Sequence, residues 1–343
     1  MRTIWKVVSA GLVGAACSAA NADGGSPGGG AAPGSGGSGG GAAAGGGSSG
    51  GGGASASGGM GALGGGGVLT TDGGGGECTD VVDVVFVLDV SSSMNFVLNA
   101  LRQGIAGVVT AANQLAPDAR FGLVAYVDNE ELDESGPLEG GRVHTSATTL
   151  SAAFTYYETN FTNPNRNPGD GLTGPTTQNP ICEENALDGL YTAATAFPWR
   201  PNATKVIIVA TDDTFLQAPD NYGDKDGDGD WDDLSYPKEG NYPAKHSLAD
   251  TVAALVAQRI RVFAFTRLVA PGPFSLTKCG TGRRWPWTSI SDGWSTGWQG
   301  QAPIPLATQG RNYDLEAVRT GALSLATTIE EVVVESYCNP PVY

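Results

Sequence analysis

Histidine is almost missing from this chain: His144 and His246 are the only two in 343 residues. Histidine-based metal centres therefore have few donors, and neither residue stands where a general base would be recognised. A G-x-S-x-G nucleophile elbow is not expected in the folding part of the chain. Basic residues are also scarce, with 19 Lys and Arg against 35 Asp and Glu and a formal net charge of −16. Nucleic acid needs clustered positive charge, so it is a poor partner, whereas cations are natural ones. Beyond the N-terminus, no run is apolar enough to cross a bilayer.

The N-terminus reads as an export signal. Arg2 and Lys6 precede the apolar stretch Val7 to Ala16, long enough for a secretory h-region and too short for a retained span. Two processing routes are open over residues 1 to 22: lipidation of Cys17 at the lipobox-like Gly14-Ala15-Ala16-Cys17, or cleavage at Ala20-Asn21-Ala22. The composition of the adjoining segment favours the lipoprotein route. Residues 23 to 76 are more than half glycine and cannot bury a core, so they read as a disordered tether. By random-coil scaling its ends lie roughly 40 Å apart. An outer-membrane or cell-surface lipoprotein is the expected location, with a secreted or periplasmic protein as the alternative.

Residues 77 to 343 suffice for one generous α/β domain. Cysteines number five, and Cys78, Cys182, Cys279 and Cys338 remain under either processing route. An even set in an exported chain suggests two disulfides. Cys78 with Cys338 is preferred because they bracket the domain, which leaves Cys182 with Cys279. Their spacing fits no zinc knuckle.

The densest chemistry lies in DVVFVLDVSSSM, from Asp83 to Met94. Val84 to Leu88 is a continuous apolar run, as expected of a parallel strand covered on both faces. Its C-terminal end opens on the ligand edge of an α/β sheet. A turn there can aim Asp89, Ser91 and Ser93 at one point, and such oxygen donors suit Mg²⁺, Mn²⁺ or Ca²⁺. On these residues the chain resembles the von Willebrand factor A domain family, of the bacterial exported lipoprotein type, whose metal-ion-dependent adhesion site carries the same D-x-S-x-S triplet ahead of a helix. The resemblance extends over roughly residues 79 to 338. It implies a Rossmann-like, doubly wound, mostly parallel α/β sheet flanked by helices.

The remaining elements come in the family's order. Apolar residues at helical spacing predict a helix over 95–115, with strand 2 over 121–127. An acidic link over 130–141, a short antiparallel edge strand over 142–147 and a helix over 149–159 come next. A helix begins at about Glu184, strand 205–210 ends in Thr211-Asp212-Asp213, and helix 247–258, strand 261–265 and one long helix over 315–337 complete the domain. Insertions at about 160–182, 213–245 and 268–311 would decorate the ligand edge. The resemblance implies that Ser91 and Ser93 bind the cation directly, Asp89 and Asp212 largely through water, and Glu184 in either way. Asp213 and Glu183 are the close alternatives to Asp212 and Glu184.

Two further features stand apart. Asp224, Asp226, Asp228, Asp230 and Asp232 surround Gly229 in a D-x-D-x-D-G pattern. Such crowded carboxylates favour Ca²⁺, although Ser235 replaces the closing Glu of an EF-hand. Trp285, Trp287, Trp294 and Trp298 crowd the third insertion, either as recognition anchors or as the small core of a large loop.

The function these features imply is a surface-tethered, non-enzymatic adhesion or protein-recognition module. A dication, Mg²⁺ or else Mn²⁺ or Ca²⁺, would present an open position to a carboxylate on a protein or matrix partner, or on a glycan. A structural surface protein with a metal-stabilised fold is the alternative, followed by a metal- or serine-dependent hydrolase.

Overall fold

Two-sided burial governs the architecture. The computed structural model describes residues 78, 81–127, 129–162, 184–218, 244–269, 289–337, 339 and 341–343. Strand β1 (Val82–Asp89) is buried along its whole length, and its side chains alternate between two cores. Val84, Phe86 and Leu88 enter one core, while Val85 and Val87 enter the other. An apolar run without polar alternation is what a strand with helices on both faces requires.

The sheet has six strands in the order β3-β2-β1-β4-β5-β6. β2 (Arg120–Tyr126), β4 (Thr204–Ala210), β5 (Arg261–Thr266) and β6 (Asn312–Asp314) join β1 in parallel ladders, and β3 (Glu130–Leu132) closes one edge antiparallel to β2. The fold is α/β with a doubly wound, mostly parallel sheet. β1 and β4 are neighbours, and the connection after β1 leads to β2 on one side while that after β4 leads to β5 on the other. That switch point opens a crevice beyond the carboxyl ends of β1 and β4.

Helix α1 (Asn95–Leu115) buries Val97, Leu98, Leu101, Ile105, Val108, Val109 and Ala112, one stripe at helical spacing. α2 (Ala147–Asn160) lies beside it, and α3 (Ala186–Ala196) and α4 (Leu248–Ala257) cover the other face. Ser247 and Asp250 form a capping box that starts α4. α5 (Ile304–Ala307), α6 (Leu315–Arg319) and α7 (Leu325–Tyr337) complete the set. Gly104 of α1 lets α7 pack closely, because a Cβ there would lie 2.3 Å from the Ala326 methyl. Among the described residues, no helix is long and apolar enough to cross a membrane.

Several expected elements change. The single helix over 315–337 is two helices, since Gly321 takes φ +75° and the Leu323 amide turns back to the Ala317 carbonyl at 2.9 Å. A left-handed glycine ends a helix whatever the apolar spacing beyond it. The antiparallel edge strand lies at Glu130–Leu132, within the expected acidic link, and not at 142–147. Val143 and His144 make only isolated bridges, to Leu138 and Phe121. β6 was not expected, because three residues of sequence Asn-Tyr-Asp carry no readable pattern. Glu184 precedes α3 instead of opening it, forming a parallel bridge with Phe215.

Candidate functional site

The site is built where β1 and β4 end side by side. Leu88 pairs with Ala210, so the next residues, Asp89 and Thr211, emerge together. Asp89 is fully buried, and its carboxylate accepts hydrogen bonds from the Ser91 amide at Oδ1, at 2.8 Å, and from the Thr211 hydroxyl at Oδ2, at 2.9 Å. The first contact turns the chain sharply after β1 and brings Ser91 and Ser93 to the rim. Their hydroxyl oxygens lie 3.1 Å apart, and Ser93 Oγ donates to Asp212 Oδ1 at 2.9 Å. Asp89, Ser91, Ser93 and Asp212 thus form one continuous polar network.

Asp212, not Asp213, faces the triplet. The Asp213 carboxylate folds back onto the Thr214 amide at 2.7 Å, and its carbonyl accepts the Trp294 indole N–H at 3.2 Å. Glu184 enters the same edge through backbone pairing, with its amide on the Thr214 carbonyl and its carbonyl accepting the Leu216 amide. Burial, and then the neighbouring Asp212 charge, push the Asp89 carboxyl up to about 7. The buried Tyr126 phenol beneath the site is also raised, by burial and by the charge of Asp89, with Glu184 and Asp212 adding to it. Negative charge therefore accumulates where solvation is poorest.

Some of that charge is answered within the chain. Arg267, just beyond β5, places Nη2 2.9 Å from Asp212 Oδ2 and donates from Nη1 to the Asp212 carbonyl at 3.2 Å. Arg319 Nη2 lies 3.6 Å from the same Oδ2, with its guanidinium 4.1 Å over the Phe96 ring. These arginines, Thr211 and Tyr126 were not among the sequence candidates. Their positions at or just after the C-terminal ends of β2, β4 and β5, or at the end of α6, are the signal that could have found them.

Among the described residues, no three His, Cys, Asp or Glu side chains converge on a common metal position. A cation here would therefore depend on the serine hydroxyls as well as the carboxylates. The donors are all oxygen, two buried carboxylates stand close enough to raise one pKa, and two hydroxyls line the rim. That set fits a hard dication.

The histidines serve elsewhere. His144 Nε2 is 2.8 Å from Asp133, and His246 Nδ1 is 2.7 Å from Asp188 while its ring stacks on Tyr191. One sequence expectation needs amending: Gly293-Trp294-Ser295-Thr296-Gly297 does spell G-x-S-x-G. Here Ser295 is exposed in a turn-rich segment, with its amide bonded to the Ser291 carbonyl, and no strand leads into it as in a nucleophile elbow.

Of the two readings of the tryptophans, Trp294 and Trp298 follow the packing one, since both are buried in the core shared with α3 and α4. Trp294 packs edge-on against Phe215 with ring centroids 5.4 Å apart. A large loop must bury its own apolar surface, and these indoles do so. Trp285 and Trp287 lie outside the described residues, as do Glu183, Cys17, Cys182, Cys279, Cys338 and the acidic loop from Asp224 to Asp232. Cys78 is disulfide-bonded.

No family model matches the chain, and no curated protein matches it. Among solved structures it is similar to proximal thread matrix protein 1 from the mussel byssus, at 16% identity and TM-score 0.38 over 77% of this chain and 47% of that one. It is similar to the pilus adhesin SpaC from Lactobacillus rhamnosus GG, at 12% identity and TM-score 0.39 over 77% and 32%. A von Willebrand factor type A structure from Catenulispora acidiphila gives 15% identity and TM-score 0.38 over 76% and 43%. The chain spans less than half the length of each. Likenesses this shallow say nothing about residues of the site.

Proposed function

We propose that this chain is an exported recognition module of the von Willebrand factor A type that binds a carboxylate on its partner through a divalent cation at the β1–β4 edge. The observation that supports it most is the hydrogen bond from Ser93 to Asp212, which joins the triplet to the second strand end. Asp89, Ser91, Ser93 and Asp212 would hold the cation, with Glu184 beside them. With Ser91 and Ser93 as direct neutral donors and Asp89 and Asp212 acting largely through water, the dication would keep positive charge and could accept an anionic ligand. Mg²⁺ is the favoured cation, with Mn²⁺ or Ca²⁺ able to replace it.

The partner is a protein or matrix component with an exposed carboxylate, and the module is not an enzyme. Among the described residues both imidazoles are engaged with Asp133 and Asp188, and neither bonds a serine of the triplet. The N-terminal signal and Gly-rich tether support a surface location, with Cys17 as the lipid anchor. Binding of immobilised carboxylate peptides, with Mg²⁺ present and then chelated, tests the reading. Metal-dependent capture that Asp89→Ala abolishes supports it, and unchanged capture in that variant overturns it.

A structural role is the second reading, favoured by one observation: Asp212 is already neutralised by Arg267. In that case carboxylate peptides do not bind, with or without metal.

A further inference from the structure

We propose that Arg267 is a resident cation of the β1–β4 edge, competing with the divalent metal for Asp212 and so setting a weak metal affinity. The inference rests on the metal-site reading above. Arg267 grips Asp212 at two points, the carboxylate Oδ2 at 2.9 Å and the backbone carbonyl at 3.2 Å. The opposite oxygen, Oδ1, is the one bonded to Ser93. Asp212 therefore lies between the triplet and a guanidinium, with one oxygen committed to each.

The setting makes this contact stronger than a surface ion pair. The Asp212 side chain is only 7% exposed and that of Arg267 only 19%, so water and salt screen the pair poorly. The guanidinium is a permanent, planar cation whose forked donors suit this two-point grip. A dication drawing on Asp212 must weaken the clamp or accept a like charge next to it.

Arg319 adds to the barrier. Its guanidinium lies 3.6 Å from the same Oδ2, held over Phe96 and paired with Glu316 at 3.3 Å. Two cations thus converge on one oxygen of a candidate metal ligand. In the absence of metal they hold the strand ends and the start of α1 together, and metal binding proceeds at their expense.

The test is calorimetric titration of Mg²⁺ and Mn²⁺ into the full chain, alongside thermal unfolding without metal. Wild type is compared with Arg267→Gln, Arg267→Lys and Arg319→Gln, and Ser91→Ala/Ser93→Ala identifies the binding heat that belongs to this site. Arg267→Gln is expected to bind metal roughly tenfold more tightly, a shift of about 1.4 kcal/mol, and to melt at a lower temperature without metal. Arg267→Lys retains the charge but loses the two-point grip and falls between. Arg319→Gln gives a smaller gain and keeps the test open should Arg267→Gln fail to fold. Equal or weaker metal binding by the Arg267 and Arg319 variants, with wild type binding normally, overturns the inference and makes Arg267 a support for Asp212. No binding by wild type or by any variant overturns the metal site as well.

Discussion

Ser93 and Asp212 stand 119 positions apart in the chain, yet the hydroxyl of one donates to the carboxylate of the other at 2.9 Å. Each lies just past the carboxyl end of its own parallel strand, and the ladder between β1 and β4 brings the two ends together.

Metal should stabilise the protein through this contact. At free Mg²⁺ one hundred times the dissociation constant, a site on the native state contributes about 2.7 kcal/mol. Ser91→Ala/Ser93→Ala should lose that increment while retaining any response from the acidic loop, as thermal unfolding with and without chelator will reveal. An undiminished Mg²⁺ response in the double variant counts against the site.

Asp89 should make the metal-free protein less stable as pH rises. Its carboxyl is raised from 3.8 to about 7, so between those values the native state holds a proton that the unfolded chain has released. The group's contribution is complete below pH 3.8 and is lost as pH passes through about 7. Asp89→Asn should remove this component from denaturation midpoints measured between pH 5 and 8 in chelator. A slope identical to wild type refutes the assignment.

Trp294 should matter for stability and not for recognition. It is fully buried against Phe215, so Trp294→Ala should cost about 3–5 kcal/mol in chemical denaturation. A loss below 1 kcal/mol would show that the indole is not a core element.

Arg200 closes the opposite end of the sheet. It donates from both its amide and its guanidinium to the fully buried Asp83, and it also reaches Asp118. Arg200→Ala removes the guanidinium from a buried carboxylate, leaving only the backbone amide to answer it, and should destabilise by about 3–5 kcal/mol. Asp83→Asn/Arg200→Ala should recover part of that loss, because no buried charge is then left alone.

Local physics was legible wherever it was also sufficient. Val84 to Leu88 and the run ending in Thr211-Asp212 mark β1 and β4 as short, β-branched apolar runs, and the stripe from Val97 to Ala112 marks α1 by its helical period, because each buries its face wherever it packs. The oxygen chemistry of Asp89, Ser91 and Ser93 is equally a property of the chain. Short edge elements were not legible. Glu130–Leu132 and Asn312–Asp314 are strands only because β2 and β5 offer them free edges. Gly321 broke a helix whose apolar spacing looked continuous, since a left-handed turn depends on one backbone angle and not on hydrophobicity. The buried tryptophans and the hold of Arg267 on Asp212 likewise required packing between distant segments. Residue type and periodicity determine which elements form and what chemistry they carry, but burial and opposing charge depend on neighbours that only the folded sheet supplies.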